Sequence, residues 1–389
     1  MRAEYVFWTC LALIAHTYVL YPVVLFVAYA AIQIRRDLEY LSGRSERRVS
    51  EPKELPAVSL LIPAYNEEAH LGEKLANLEQ IDYPPDRLEV ILVSDGSSDG
   101  TNRLLADAPQ GRCRTIFLPV RQGKPTALNR AAEVATGDIF VLSDAATLLA
   151  PDAVRKLVRH FRDPRVGVVC GAVEFRRSVE SAQTEGVYWK YECALRLMES
   201  RLGSTLTASG ALYAIRRSCF VPLPPDTILD DFVLPMNARR RGYRVLYDPE
   251  AIGLEVAPES VAGEFVRRVR LAAGSFQALP QLLRASLGGF SFFAFLSHKV
   301  LRWLLPFLLI GLLLSNVFLL ARIGYGLFFG AQVLLLLLAA AGRLWRPVLE
   351  RIPFGLVSYF LSAINVAFLM GFVRSVFARK EVTWQRTSP

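Results

Sequence analysis

An α/β fold, with a mostly parallel sheet covered by helices on both faces and joined to membrane helices, is predicted by three observations in the 389-residue chain. Short β-branched apolar runs alternate with helix-patterned segments through residues 57–143, the arrangement of a parallel sheet. Four stretches carry no Asp, Glu, Lys or Arg, at 6–34, 303–321, 323–342 and 353–373. All four are long enough for a bilayer crossing, which requires roughly 20 apolar residues. Between them, residues 35–302 have ordinary mixed composition, enough for one sizeable soluble domain. With 52% hydrophobic and 21% charged residues, a disordered chain, a collagen-like fibre and a small disulfide scaffold are excluded.

Residues 57–62 read as the first strand, and 67–80 have the apolar spacing of a helix. A second strand follows at 88–93, then a turn and a helix at 99–106. Strands at 114–119 and 138–143 flank a helix at 126–135. The second half reads as a strand at 166–175, a long helix at 180–201, a strand at 206–215, a helix at 229–241 and a strand at 243–247. Residues 263–284 carry an arginine-rich face and 287–296 are short and aromatic, so both are expected to lie in the membrane interface. The implied organisation is a membrane helix within 1–34, a linker 35–55, a soluble domain 56–263, interfacial helices 264–300, three membrane helices within 301–373 and a basic tail 374–389.

The formal net charge of +9 is unevenly placed. Residues 55–263 hold 24 Lys and Arg against 27 Asp and Glu, a net of −3. The basic surplus sits beside the apolar runs, at Arg267, Arg268, Arg270, Arg284, Lys299, Arg302, Arg343, Arg346 and Arg351. Such residues anchor inner-leaflet lipid and mark topology, so membrane lipids and not nucleic acid are the expected partners. The same rule puts Met1 outside and the soluble domain in the cytoplasm, as in a multi-pass protein of the inner (plasma) membrane. Four crossings then conflict with Arg374, Arg379, Lys380 and Arg386, which prefer the inside. The stretch 6–34 is too long for a cleavable signal peptide, and the five cysteines form no metal spacing and read as reduced.

Ligands of parallel sheets bind beyond the carboxyl ends of the strands, so the polar residues there carry the interest. Pro63-Ala64-Tyr65-Asn66-Glu67-Glu68 ends the first strand and offers an aromatic ring and a carboxylate, or simply an acidic helix start. Ser94-Asp95-Gly96-Ser97-Ser98-Asp99-Gly100-Thr101 permits close backbone approach and aims Asp95 at a ligand; Ser97 or Ser98 could equally cap a helix. Gln122-Gly123-Lys124 places a cation before a helix, suited to a phosphate or merely solvated. Ser143-Asp144-Ala145-Ala146-Thr147 closes an apolar strand with a carboxylate that can hold a divalent cation, or cap the next helix. In Leu229-Asp230-Asp231-Phe232, adjacent acids raise each other's pKa, which suits a general base; an acidic N-terminus of the following helix is the plainer alternative.

As an ordered set, VSLLIPAYNE, LVSDGSSDGT, QGKPTALN, LSDAAT and ILDDF resemble the membrane-bound family 2 glycosyltransferases, in particular the branch of poly-N-acetylglucosamine, cellulose and hyaluronan synthases. The resemblance covers roughly residues 56–300. It implies a GT-A fold over 56–263, and transfer of a sugar with inversion from a nucleotide-diphosphate donor, a UDP-sugar, to a lipid-linked or growing glycan acceptor. By this likeness Pro63, Ala64, Tyr65 and Glu67 would hold the nucleoside, Asp95 the base or ribose, and Lys124 the phosphates. Asp144 matches the first acid of the DxD metal motif, implying Mg²⁺ or Mn²⁺. Asp231 matches the base of the TED motif with Asp230 beside it, and Arg270 matches the arginine of QxxRW, which grips the diphosphate.

The chain departs from the pattern at Ala146 (second DxD acid), Arg267 and Leu271 (the Gln and Trp of QxxRW) and Asp230 (the Glu of TED). Loss of the tryptophan that stacks on an acceptor sugar favours single transfer over processive synthesis with export. The losses in DxD and QxxRW also leave open a non-catalytic nucleotide-sugar sensor, which the retained Asp231 opposes.

Overall fold

The computed structural model describes residues 2–43, 54–108, 111, 113–176, 182–256, 261–283, 288–344 and 355–377. The linker segment 44–53, Arg284, Arg346, Arg351 and the tail from 378 onward, with Arg379, Lys380 and Arg386, lie outside the described residues. The sheet-bearing part of the chain opens with β1 (Val58–Ala64), α3 (Glu68–Glu79), β2 (Leu88–Asp95), α4 (Thr101–Ala106), β3 (Cys113–Leu118), α5 (Lys124–Val134) and β4 (Ile139–Ser143). Two helices precede them, α1 (Arg2–Ala15) and α2 (Tyr21–Leu41), joined through a short π-helix (His16–Leu20). Then come β5 (Leu148–Leu149), α6 (Ala153–Val158), β6 (Val166–Arg176), α7 (Ala182–Leu202), β7 (Leu212–Arg216), α8 (Asp230–Arg240) and β8 (Arg244–Val256).

One mixed sheet runs β3-β2-β1-β4-β7-β6-β8-β5. The first four strands are parallel, β7 is antiparallel to both neighbours, β6 and β8 are parallel, and β5 closes the edge antiparallel to β8. All seven residues of β1 are buried, as a strand covered on both faces requires. Leu60, Ile62, Leu71 and Leu78 pack on one side of the sheet, and Leu61, Ile91, Leu128 and Phe140 on the other. The carboxyl ends of β1, β2 and β4 therefore open together on one rim, with the order reversing between β2-β1 and β1-β4.

Two local differences from the sequence expectations follow from tertiary packing. Residues 206–211, expected in a strand, form no ladder; Ala208 N–H donates instead to Asp231 carbonyl O at 2.8 Å. The helix α4 is entered at Gly100 with no side-chain cap, and Asp99, rather than a serine, accepts the Thr101 N–H at 3.0 Å.

The chain continues as α9 (Val261–Leu283), α10 (Gly289–Ala294), α11 (Leu301–Trp303), α12 (Leu305–Val317), α13 (Ile323–Leu344) and α14 (Gly355–Phe377). Among the described residues, two helices are long and apolar enough to cross a membrane, at Arg2–Leu41 and Ile323–Ala341. A third crossing arises if Gly289–Trp303 and Leu305–Val317, bent by 62°, count as one. The stretch expected at 303–321 is thus no straight span. Pro306, which cannot donate a backbone hydrogen bond, sits at the start of α12 beside the bend. Helix α9, expected in the interface, packs on α14 where Gly371 meets Ala272 and Ala273, small residues that let the backbones approach.

A buried ion cluster joins the domain to these helices. On α7, Glu199 accepts from Tyr21 OH at 2.7 Å and pairs with His298 Nδ1 at 2.6 Å. Glu192, on the same helix, takes Lys299 Nζ at 3.0 Å and Arg302 Nη1 at 2.7 Å. Removing one partner of such a cluster leaves buried charge uncompensated, at about 3–5 kcal/mol. Glu192→Ala is therefore expected to lower the melting temperature of the detergent-solubilised protein by several degrees. Glu250→Ala, at the exposed end of a surface pair with Arg159, should barely move it.

Candidate active site

The first two strand-end loops are interlocked. Asn66 stands in the left-handed region at φ 52°, and its Oδ1 accepts the Ser98 N–H at 2.8 Å. Glu68 Oε2 accepts the Gly100 N–H at 2.9 Å, and Glu67, buried, donates its own N–H to Thr101 Oγ1 at 2.8 Å. Pro63 and Ala64 are the last residues of the buried β1. These residues set the backbone of the rim, while Tyr65 presents its ring, stacked 3.8 Å beneath the Arg121 guanidinium.

Asp95 spends both oxygens on the loop before α5, with Oδ1 accepting Gln122 N–H and Oδ2 accepting Gly123 N–H, each at 2.7 Å. Gly96 has φ 65°, and a Cβ there would collide with the Arg121 backbone, so glycine is required on both counts. Gly123 is at φ 96° and is followed by Lys124-Pro125, so the chain turns sharply into α5 with Lys124 at its first position.

That turn sends Lys124 into a group of carboxylates. Its Nζ donates to Asp144 Oδ1 at 2.7 Å and stands 3.4 Å from Asp230 Oδ1. Burial alone would lower the lysine's pKa, but Asp144 and Asp230 outweigh it, and the ammonium is held charged well above its usual range. Asp230 is buried and accepts from Tyr213 OH at 3.1 Å. Asp231 is half-buried; its Oδ2 accepts Gly210 N–H at 3.0 Å, and Oδ1 takes no hydrogen bond among the described residues. Burial and the neighbouring Asp230 push the Asp231 pKa up to about 6, against the pull of Lys124 and Arg196. Arg270, on α9, lies close enough to Asp144, Asp231 and Asp230 to feel their charge, while burial lowers its own pKa.

The fold therefore brings Lys124, Asp144, Asp230, Asp231 and Arg270 to one place, and sets Tyr65 and Asp95 along the neighbouring rim. Pro63, Ala64 and Glu67 stay in the interior beneath it. Sequence reasoning missed Arg121, Tyr213 and Gly210. Arg121 directly precedes the Gln122-Gly123-Lys124 motif, the one signal that could have drawn attention to it.

A divalent cation fits this donor set with a single protein ligand. Asp144 directly follows β4, its Oδ2 bears no hydrogen bond among the described residues, and Ala146 supplies no acid at the motif's second position. No group of three or more His, Cys, Asp or Glu residues is arranged to hold a metal among the described residues. Magnesium-type sites commonly use one or two carboxylates and complete the shell with substrate phosphates and water.

The family model for glycosyl transferase family 2 matches residues 59–220. The chain is 27% identical over 260 residues to the poly-beta-1,6-N-acetyl-D-glucosamine synthase of Staphylococcus aureus (strain COL), covering 63% of this chain and 60% of that protein. The namesake from Staphylococcus epidermidis (strain ATCC 35984) is 26% identical over 244 residues, covering 59% of this chain and 57% of that protein. The match thus spans about 60% of the length of these relatives. Among solved structures, the mannosyltransferase PcManGT from Pyrobaculum calidifontis, in complex with GDP-Man and Mn²⁺, superposes with a TM-score of 0.69 at 23% identity, over 96% of this chain and 99% of that one. That likeness establishes the GT-A fold.

Proposed function

We infer that this chain is a family 2 glycosyltransferase, as its similarities support, and that it moves one sugar with inversion from a nucleoside-diphosphate donor to an acceptor hydroxyl at the cytoplasmic face of a membrane. The observation that carries this reading is the convergence of an open Asp231 oxygen with the Lys124–Asp144 pair and Arg270. Asp231 takes the proton of the acceptor hydroxyl as its oxygen bonds to the anomeric carbon. The bond from that carbon to the diphosphate breaks on the opposite face, and the electron pair leaves with the nucleotide. Lys124 and Arg270 stand where the departing charge develops. A Mg²⁺ or Mn²⁺ ion held by Asp144 and the phosphates would neutralise part of the same charge.

A UDP-sugar is the donor the sequence resemblance implies, and a lipid-linked or growing glycan is the acceptor a membrane-tethered domain would reach. Leu271, in place of the stacking tryptophan, supports single transfer. The similarity to poly-N-acetyl-D-glucosamine synthases supports the second reading, processive synthesis. The test is a hydrolysis panel on purified protein with Mn²⁺ and UDP-glucose, UDP-N-acetylglucosamine, UDP-galactose or GDP-mannose. Release of nucleoside diphosphate from one donor is expected; binding without any release would favour the sensor.

Arg270 can be separated from its basic neighbours. An arginine on a diphosphate makes charge-assisted bonds worth about 1.5–3 kcal/mol, roughly ten- to a hundredfold in affinity. Arg270→Ala is expected to weaken UDP or GDP binding by that factor, whereas Arg268→Ala should leave it unchanged. Equal affinities in a calorimetric titration of the two variants would assign Arg270 to the membrane surface alone.

A further inference from the structure

Helix α3 carries an amine into the core of the domain. Lys74 is 0% exposed, yet its Nζ donates to Ser143 Oγ at 2.9 Å and to Thr147 carbonyl O at 2.5 Å. One turn along the same face, Asn77 Nδ2 donates to Leu149 carbonyl O and its Oδ1 accepts Leu149 N–H, both at 2.8 Å. The two residues, three apart on one helix face, hold the two ends of the segment 143–149. Asp144 lies inside the part that Lys74 brackets.

The bracketed turn is otherwise lightly closed. Thr147 N–H reaches Asp144 carbonyl O at 3.2 Å, and Ser143 Oγ reaches the same oxygen at 3.3 Å. Thr147 Oγ1 donates to Glu255 Oε1 at 3.0 Å, tying the turn's far end to β8. Both acceptors of Lys74 are neutral, so no ion pair repays the burial of its amine, and a Met or Leu of similar volume would serve packing better. Burial pulls the lysine pKa down to about 7, against Asp144 and Glu255. The grip needs only two N–H donors, which the charged and neutral amine both supply.

We propose that Lys74 is a positioning residue that fixes the 143–147 turn, so that the Asp144 carboxylate stands toward Lys124 and the donor's diphosphate. This rests on the donor reading above. A cation bound through Asp144, with Ala146 where the motif's second acid would stand, depends on the turn for its position. The turn's geometry is then what sets metal affinity, as the outer partners of metal ligands do elsewhere.

The test is a Mn²⁺ titration of UDP and GDP binding, by calorimetry on the full chain in detergent. Lys74→Met keeps the volume and removes both donors, and Ser143→Ala removes one contact with the lysine left in place. Lys74→Met should raise the Mn²⁺ midpoint by about ten- to a hundredfold, and Ser143→Ala by less, with metal-free nucleotide affinity unchanged in both. Asn77→Ala loosens β5 rather than the turn, and should lower the melting temperature without moving the midpoint. An unchanged midpoint in Lys74→Met, or an equal rise in Asn77→Ala, would overturn the proposal. If Lys74→Met does not fold, an unmoved midpoint in Ser143→Ala overturns it. Wild-type protein that binds neither nucleotide with Mn²⁺ would instead overturn the donor reading and this inference with it.

Discussion

Asp231→Asn is expected to lower sugar transfer by about 10²–10⁴-fold, the usual worth of a positioned general base, while nucleoside diphosphate binding survives. The amide keeps the shape of the side chain and the Gly210 contact, and removes only the basic oxygen. The pH dependence sharpens the test. With its pKa pushed up to about 6 by burial and Asp230, the wild-type base is lost as pH falls through that value, so the rate should rise with pH along an acid limb that the variant lacks. The stability effect has the opposite sign to the rate effect. A carboxyl whose folded pKa exceeds its unfolded value binds its proton more tightly when folded. Its stabilising contribution is therefore present below about pH 4 and is lost as pH rises through about 6. At neutral pH the neutral amide removes that penalty, and the variant should melt no lower than wild type. A slow enzyme that is also less stable would point to misfolding. An active Asp231→Asn beside a dead Asp230→Asn would transfer the role to Asp230, whose oxygens are committed to Tyr213 and Lys124.

The parallel half of the sheet was legible because strands buried on both faces are written as unbroken apolar runs, and β1, β2 and β4 fall within two residues of where those runs lie. The site was legible only as separate strand-end clusters. What joins them is non-local: Lys124 meets Asp144 and Asp230 across 20 and 106 positions of chain, and no spacing rule reaches that far. Residues 206–211 looked like a strand because Leu206 and Ala208 are apolar, but they are buried by packing beside Asp231 rather than by a ladder. The burial of Lys74 was not legible at all, since nothing local in the amphipathic pattern of α3 tells a buried lysine from an exposed one. The membrane segments were counted by absence of charge, which is blind to the bend at Leu304.

Asp144→Ala should abolish transfer at every Mn²⁺ concentration, and excess EDTA should do the same to the wild type. Neutralising the leaving diphosphate is worth several kcal/mol of barrier, so the loss is expected to reach roughly 10³-fold. Two features make this residue bear the whole effect. Ala146 removes the usual second carboxylate, and among the described residues no group of three or more His, Cys, Asp or Glu is arranged to hold a metal. The same features predict that the fold survives. Asp144 sits at the end of β4 with its side chain 30% exposed, and its pair with Lys124 is of the partly solvated kind that contributes about 1 kcal/mol or less. Without Asp144, Lys124 still has Asp230 at 3.4 Å, so no cation is stranded in the interior. Melting temperature and metal-free nucleotide binding should accordingly stay near wild type while turnover disappears. Full wild-type activity in excess EDTA would mean that Lys124 and Arg270 carry the leaving charge alone. In that event Asp144 serves to hold Lys124 in place, and its alanine variant should weaken donor binding with or without metal.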